Sequence, residues 1–264
     1  MNKKILLDLW SQAPLSWAII RAQECRLLKE QKFIPPILEI GCGDGLISQI
    51  VFNNKNASID LGIDLDSKEL HRAEKTKLYK KLLLLDITKN NFKPNSFNTV
   101  FANGVLEHIP NLDKTLREVS KILKPNGLLI TTSPSINYTG LLFYHRLFSL
   151  LGFKKLAEDY GNKINTVFVH KHLLSKKDWE DICKKNNLNV VRITSYNNPL
   201  VVALHDLFLP FSVFTKLIKN YTDKMVLFIN LRRVILNPLI PLLDKIVTAQ
   251  SQRNASLLIV ARKK

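Results

Sequence analysis

The chain has 264 residues, a formal net charge of +17 and 46% hydrophobic side chains. That length fits one α/β domain with additions, and the apolar share supports a sizeable core. Cys25, Cys42 and Cys183 form no close-spaced pair, which excludes a disulfide framework and a cysteine-bound metal cluster and points to a reducing compartment. The charge would attract nucleic acid, an anionic membrane surface or a phosphorylated substrate, although a Lys/Asn-rich coding bias would give the same excess. Lys3 and Lys4 precede only three apolar residues before Asp8, so no secretory leader is expected.

Residues 1–34 read as a helical leader, with Leu6, Leu9, Trp10, Ala13, Trp17, Ile20 and Leu27 near helical spacing and a break at Pro14. Arg21 and Glu24 stand at i and i+3, the spacing of a surface ion pair. Pro35-Pro36 opens a buried strand, Ile37–Ile40, which runs into Gly41, Gly43 and Gly45 and then a helix, Leu46–Phe52. Strand, glycine turn and helix form the ligand cradle of open α/β sheets. A dinucleotide fingerprint wants a third glycine where this chain has Leu46, and it seats a pyrophosphate on the helix N-terminus. Glu39 before the turn and Asp44 inside it would repel that group and suit a cation without phosphate.

A second strand is expected over 57–64. Its terminal Asp64, nineteen residues after Gly45, stands where a carboxylate accepts hydrogen bonds from a ribose diol. Asp66 or Ser67 caps the next helix. Residues 82–85 read as a buried third strand ending in Asp86-Ile87, and 97–102 as a fourth. Asn103-Gly104-Val105-Leu106-Glu107-His108-Ile109-Pro110 then lies at a strand's carboxyl end, where such sheets bind ligands. His108 suits a general base near neutral pH or a loop-holding role.

A helix is expected over 113–123, a turn over 124–127 and a fifth strand over 128–132. Residues 133–172 are rich in aromatics, and their histidines, His145, His170 and His172, lack metal-ligand spacing. Ser175 caps a helix with Trp179 inward, and Leu188–Tyr196 reads as the sixth strand. Residues 197–253 are apolar but cut by Pro199, Pro210, Pro238 and Pro241 into pieces too short to cross a bilayer. From Lys216 onward there are ten Lys/Arg and two acidic residues. Lys216, Lys219, Lys224, Arg232, Arg233 and Lys245 could sit at headgroup level while Phe208, Phe211, Phe214 and Phe228 enter the acyl boundary. A helical cap or dimer contact is the other reading of this segment.

The run Ile37-Leu38-Glu39-Ile40-Gly41-Cys42-Gly43-Asp44-Gly45 resembles motif I of the class I S-adenosylmethionine (SAM)-dependent methyltransferases. Val105-Leu106-Glu107-His108-Ile109 resembles the branch that includes quinone and small-molecule O-methyltransferases, and the Leu-Lys-Pro-Asn-Gly run at 123–127 is similar to theirs. The resemblance is continuous from about 37 to 134, and residues 14–25 resemble a leader helix of some bacterial members.

It implies a doubly wound Rossmann-like α/β sheet of order 3-2-1-4-5-7-6 with strand 7 antiparallel. It implies SAM as cofactor, S-adenosylhomocysteine as product, and cofactor contacts from Glu39, Gly41, Cys42, Gly43, Gly45, Asp64, Leu65, Asp86, Ile87 and Asn103. Asp64 would take the ribose and Asp86 the adenine amino group. His108 is the candidate catalytic residue. In some relatives a further glutamate joins Glu107 and His108 as magnesium ligands; Gly104 stands in its place, so no metal site is expected. The Asn/Asp-Pro-Pro-Tyr run of base N-methyltransferases does not follow the fourth strand.

The expected division is a leader (1–34), a SAM-binding core (35–196, with an acceptor-side insertion at 135–172), an apolar basic helical insertion (197–253) and a last strand (254–264). The expected activity is O-methylation of a small-molecule, lipid-linked or glycan acceptor. The protein would be cytoplasmic, at the inner face of an anionic membrane, with a homodimer as a further partner. An RNA methyltransferase, a non-catalytic SAM-binding subunit and an NAD-dependent oxidoreductase are the alternatives.

Overall fold

The computed structural model describes residues 2–53, 58–212, 215–222 and 224–264, without the side chains of 2, 3, 216, 217, 220 and 236. Ala57, Phe214 and the side chain of Lys216, all invoked above, lie outside the described residues. Helices α1 (Asn2–Gln12) and α2 (Leu15–Lys29) precede β1 (Ile37–Ile40). Next come α3 (Leu46–Phe52), β2 (Leu61–Asp64), α4 (Ser67–Glu74), β3 (Leu82–Leu84), β4 (Phe97–Asn103), α5 (Leu112–Ile122) and β5 (Leu123–Pro134). Helices α6 (Tyr138–Leu141), α7 (Phe143–Leu150), α8 (Lys154–Val167) and α9 (Lys176–Lys185) lead to β6 (Leu188–Tyr196). Helices α10 (Pro199–Phe208), α11 (Thr215–Thr222), α12 (Ile229–Leu236) and α13 (Ile240–Thr248) lead to β7 (Ser256–Lys263).

The seven strands form one sheet of order β3-β2-β1-β4-β5-β7-β6, the doubly wound order expected. All four residues of β1 are buried because parallel strands flank it on both sides, β2 on one and β4 on the other. Strand β7 runs antiparallel to β5, with Leu128 opposite Arg262 and Pro134 opposite Ser256. Helix α5 packs Leu116, Val119 and Ile122 on the sheet, and its cap Asn111 accepts the Lys114 N–H. Helix α9 starts with a capping box between Ser175 and Asp178 and buries Trp179.

Two strand expectations change. The expected buried run 82–85 is the sheet's terminal strand, and Leu84 is 61% exposed because nothing pairs beyond it. The expected turn at 124–127 lies inside the span of β5. The pairing with β4 jumps from Phe97↔Leu123 to Thr99↔Leu128, and Asn126 takes a φ of 63°. The chain turns there within the strand's span, and the pairing resumes at Leu128.

The chain forms two compact units: 29–136, 169–195 and 256–264 with the sheet, and 1–28, 137–168 and 196–255, built of helices. Residues 137–168, within the insertion expected at 135–172 of the core, cluster with the leader and the later insertion. Buried polar pairs show why. Asp206 is wholly buried and accepts from the Tyr160 hydroxyl and, at 3.0 Å, from the Tyr144 N–H. His205 is buried with Nδ1 2.8 Å from the Ser16 carbonyl and Nε2 3.3 Å from the Tyr138 hydroxyl. A carbonyl only accepts, so Nδ1 carries the proton; burial holds the ring's pKa below its usual 6.5.

Arg21 and Glu24 pair at 2.6 Å but not on the surface: Glu24 is buried and also accepts from the Tyr196 hydroxyl. Arg232, expected at headgroup level, instead donates to the Trp10 and Ala13 carbonyls around the C-terminus of α1, where carbonyls lack helical partners. Pro199 and Pro241 sit in the first turns of α10 and α13, and Pro210 and Pro238 in 3-10 turns. No helix among the described residues is long and apolar enough to cross a membrane.

Candidate active site

Where β1 ends, Gly41, Gly43 and Gly45 take φ values of 65°, 54° and 76°. A Cβ on Gly41 would lie 2.5 Å from Val105 Cγ2, so both conformation and space demand glycine there. At Gly43 a Cβ would meet nothing within 4 Å. The backbone donors of the turn are committed to the protein itself. The Gly41 and Cys42 N–H groups donate to the Ile63 carbonyl at 2.8 and 3.1 Å. Gly43 donates to Asp64 Oδ2 at 2.7 Å, Gly45 to the Cys42 carbonyl at 3.1 Å, and Leu46 to Asp44 Oδ1 at 3.1 Å. A phosphate-binding turn presents such donors to its ligand. This one ties them to β2 and to a carboxylate.

The carboxyl ends of β1, β2 and β4 and the residues after β3 surround a cavity of about 560 Å³, within the range of small-molecule sites. Gly41, Asp64, Leu65, Asp86, Ile87 and His108 line it, together with Thr88, Val105 and Lys114, which had not been anticipated. Asp64 is oriented by the Gly43 donation and by the Asp66 N–H on Oδ1 at 2.9 Å. Each oxygen retains a second lone-pair site for a diol. Asp86 Oδ1 accepts from the Thr88 N–H and hydroxyl, both at 2.8 Å. Its Oδ2 has no donor among the described residues.

Glu39, Cys42, Gly43, Gly45 and Asn103 are not among the residues lining that cavity. Glu39 lies buried beneath the turn, accepting from Ser48 at 2.6 Å and Tyr79 at 2.9 Å. Burial pushes its carboxyl from 4.5 up to about 8, with the Asp64 charge adding and the two hydrogen bonds opposing. Burial likewise raises the Cys42 thiol, which leaves it protonated and a poor nucleophile. Asn103 accepts from Thr132 at 2.7 Å and so ties β4 to β5.

His108 ends a 3-10 turn after β4, with Nδ1 3.2 Å from the Val169 carbonyl. Nδ1 donates there, and Nε2 lies 3.9 Å from Glu107 Oε1. The ring stacks on His170 at 5.7 Å between centroids. His172 points elsewhere, with Nε2 3.0 Å from the Ile109 carbonyl. Among the described residues no group of three His, Cys, Asp or Glu could hold a metal ion.

This arrangement suits a ligand with a diol, an amino-bearing ring and positive charge. Comparison with known proteins agrees. The profile of a methyltransferase domain matches residues 38–131. That match covers the runs that resemble the class I SAM-dependent methyltransferases. It is similar to a ubiquinone biosynthesis O-methyltransferase of Pelagibacter ubique, at 29% identity over 61% of this chain and 64% of that protein. It also resembles a malonyl-acyl-carrier-protein O-methyltransferase of Legionella pneumophila, at 32% identity over 37% and 35%. The chain thus spans less than two thirds of these relatives' length. Among solved structures, geranyl diphosphate C-methyltransferase of Streptomyces coelicolor superposes with a TM-score of 0.59 at 12% identity, over 94% of this chain and 84% of that one. The cyclase SpnF does so at 0.55 and 13%, over 92% and 80%. These two share the fold.

Proposed function

We propose that the chain transfers a methyl group from SAM to an oxygen of a small-molecule acceptor, lipid-linked or carried on a glycan or quinone-like ring, at a membrane surface. The observation that carries the cofactor reading is the turn itself: the N–H groups of Gly43, Gly45 and Leu46, of the kind a phosphate-binding turn offers its ligand, are already donated within the protein. Two strand-end carboxylates on the cavity wall complement a cationic, ribose-bearing ligand and fit SAM. Asp64 would hold the ribose, Asp86 the adenine amino group, and Leu65 and Ile87 the ring faces. Glu39, Cys42, Gly43, Gly45 and Asn103 would shape the cradle from behind.

When bound, the cofactor supplies a methyl group already activated on a sulfonium. The protein's part is to align the acceptor, exclude water and remove the acceptor's proton. His108, on the cavity wall, would take that proton through Nε2 when its ring is neutral. The oxygen preference is supported by the O-methyltransferase names of the relatives. The membrane reading is supported by Phe211, Phe228, Leu231, Val234, Leu239 and Leu242, all exposed, with Lys224, Arg233 and Lys245 exposed nearby in the chain.

Titration calorimetry tests the cofactor. SAM and S-adenosylhomocysteine should bind and NAD should not. Asp64→Asn should weaken SAM binding by about 1–3 kcal/mol, roughly fivefold to a hundredfold or more. Comparable NAD binding, or an Asp64→Asn variant that binds SAM normally, overturns the assignment.

A further inference from the structure

The helical unit carries a second apolar surface far along the chain from the 197–253 segment. Between α7 and α8, Leu150 is 85% exposed, Leu151 and Phe153 are each 58% exposed, and Leu156 is 48% exposed. Four large apolar side chains within seven residues are bare at the tip of a helical hairpin. Scattered exposed leucines are ordinary, but a contiguous apolar tip marks an interaction site.

The tip is held in one shape. Gly152 has a φ of 86°, its N–H donates to the Ser149 carbonyl at 3.1 Å, and the Phe153 N–H donates to the Phe148 carbonyl at 2.9 Å. These two bonds are a Schellman closure of α7. In that motif the side chain after the glycine often packs back on its own helix; here more than half of Phe153 faces outward. Below the tip, α8 is pinned through Ala157, Gly161 and Ile164, all buried, with Gly161 so close to Thr139 that a Cβ would lie 2.3 Å from its methyl.

The charge at the tip itself is positive, and two exposed acids, Glu158 and Asp159, follow one turn further along α8. Arg146, Lys154 and Lys155 are exposed, and no acidic residue occurs from Phe143 to Ala157. No acidic side chain among the described residues pairs with these three. Apolar side chains projecting beyond a collar of cations match the layering of an anionic bilayer, with hydrocarbon beneath phosphate.

We infer that the α7–α8 tip inserts into an anionic lipid surface, with Leu150, Leu151, Phe153 and Leu156 in the acyl boundary and Arg146, Lys154 and Lys155 among the phosphates. This rests on the membrane reading above and adds a rigid insertion element outside residues 197–253. It needs no bound cofactor.

The native cysteines are all buried, so a single new surface cysteine takes an environment-sensitive fluorophore. The label at Leu150→Cys should shift to the blue with phosphatidylserine-containing vesicles at low salt, and not with pure phosphatidylcholine. The same label at Lys184→Cys should stay unchanged. Leu150→Ser/Phe153→Ser should lower vesicle affinity by about tenfold or more with SAM affinity intact. If the protein binds vesicles while the label at 150 is unmoved, the tip assignment fails and the membrane reading stands. If the protein ignores anionic vesicles altogether, both fail. If the double variant keeps vesicle binding but turns a dimer into a monomer, the tip is a contact between copies and the inference is wrong.

Discussion

Glu39 offers a measurement that separates a buried structural carboxyl from a solvated ligand. Burial lifts its carboxyl from 4.5 to about 8 in the folded chain. Between those values the folded state holds a proton that the unfolded state has released. Stability from this group is therefore greatest at low pH and declines as pH rises toward 8, the reverse of a salt-bridged carboxylate. The slope is about 1.4 kcal/mol per pH unit, so about 2 kcal/mol is lost between about pH 6 and pH 7.5. Glu39→Gln keeps the shape, one acceptor and one donor for Ser48 and Tyr79, and removes the titration. Urea unfolding of both proteins at the two pH values is the assay. The stability difference between them should move by about 2 kcal/mol in favour of glutamine at the higher pH. Parallel pH dependence of the two proteins refutes a protonated Glu39 beneath the turn.

Two further tests address the turn and the chemistry. Gly41→Ala should cost about 3 kcal/mol, of which about 1–2 kcal/mol is left-handed backbone strain and the rest the clash with Val105. In a Val105→Ala background the clash portion should vanish, and equal costs in both backgrounds would show that Val105 is not the obstacle. His108→Ala should lower kcat by about a hundredfold or more with SAM affinity nearly unchanged, as loss of a proton acceptor does; an unaltered kcat would leave His108 to its bond with Val169 and its stack on His170.

The sheet was legible because its signals are local. Glycines at alternate positions after a buried strand, an acid nineteen residues on and Asp86-Ile87 after a leucine run each place one strand end. Five of the ten expected cofactor positions, and His108, line one cavity, because residues at carboxyl strand ends converge in this topology. Thr88 and Lys114 carried no signal; each reaches the cavity only through the path of the chain after β3 and β4. The burial of Glu24 depends on Tyr196, 172 residues away, and that of Asp206 on Tyr160, 46 residues away. No window of sequence holds both partners, so the helical unit's assembly from three separated segments could not be read from periodicity.

The place of β7 sets the timing of folding. It is the last of the seven strands in the chain, yet it lies between β5 and β6. Translation must run from Pro134 to Ser256 before the far edge of β5 finds its partner. At 5–20 residues per second that edge stays open for roughly ten seconds. Strand β6 neighbours only β7, so from Tyr196 onward it waits through the second half of that interval with no place in the sheet. Open edges recruit wrong strands. The nascent chain therefore passes through a long state with a half-built sheet and a nearly complete set of helices, the state that a holdase covering strand edges would protect.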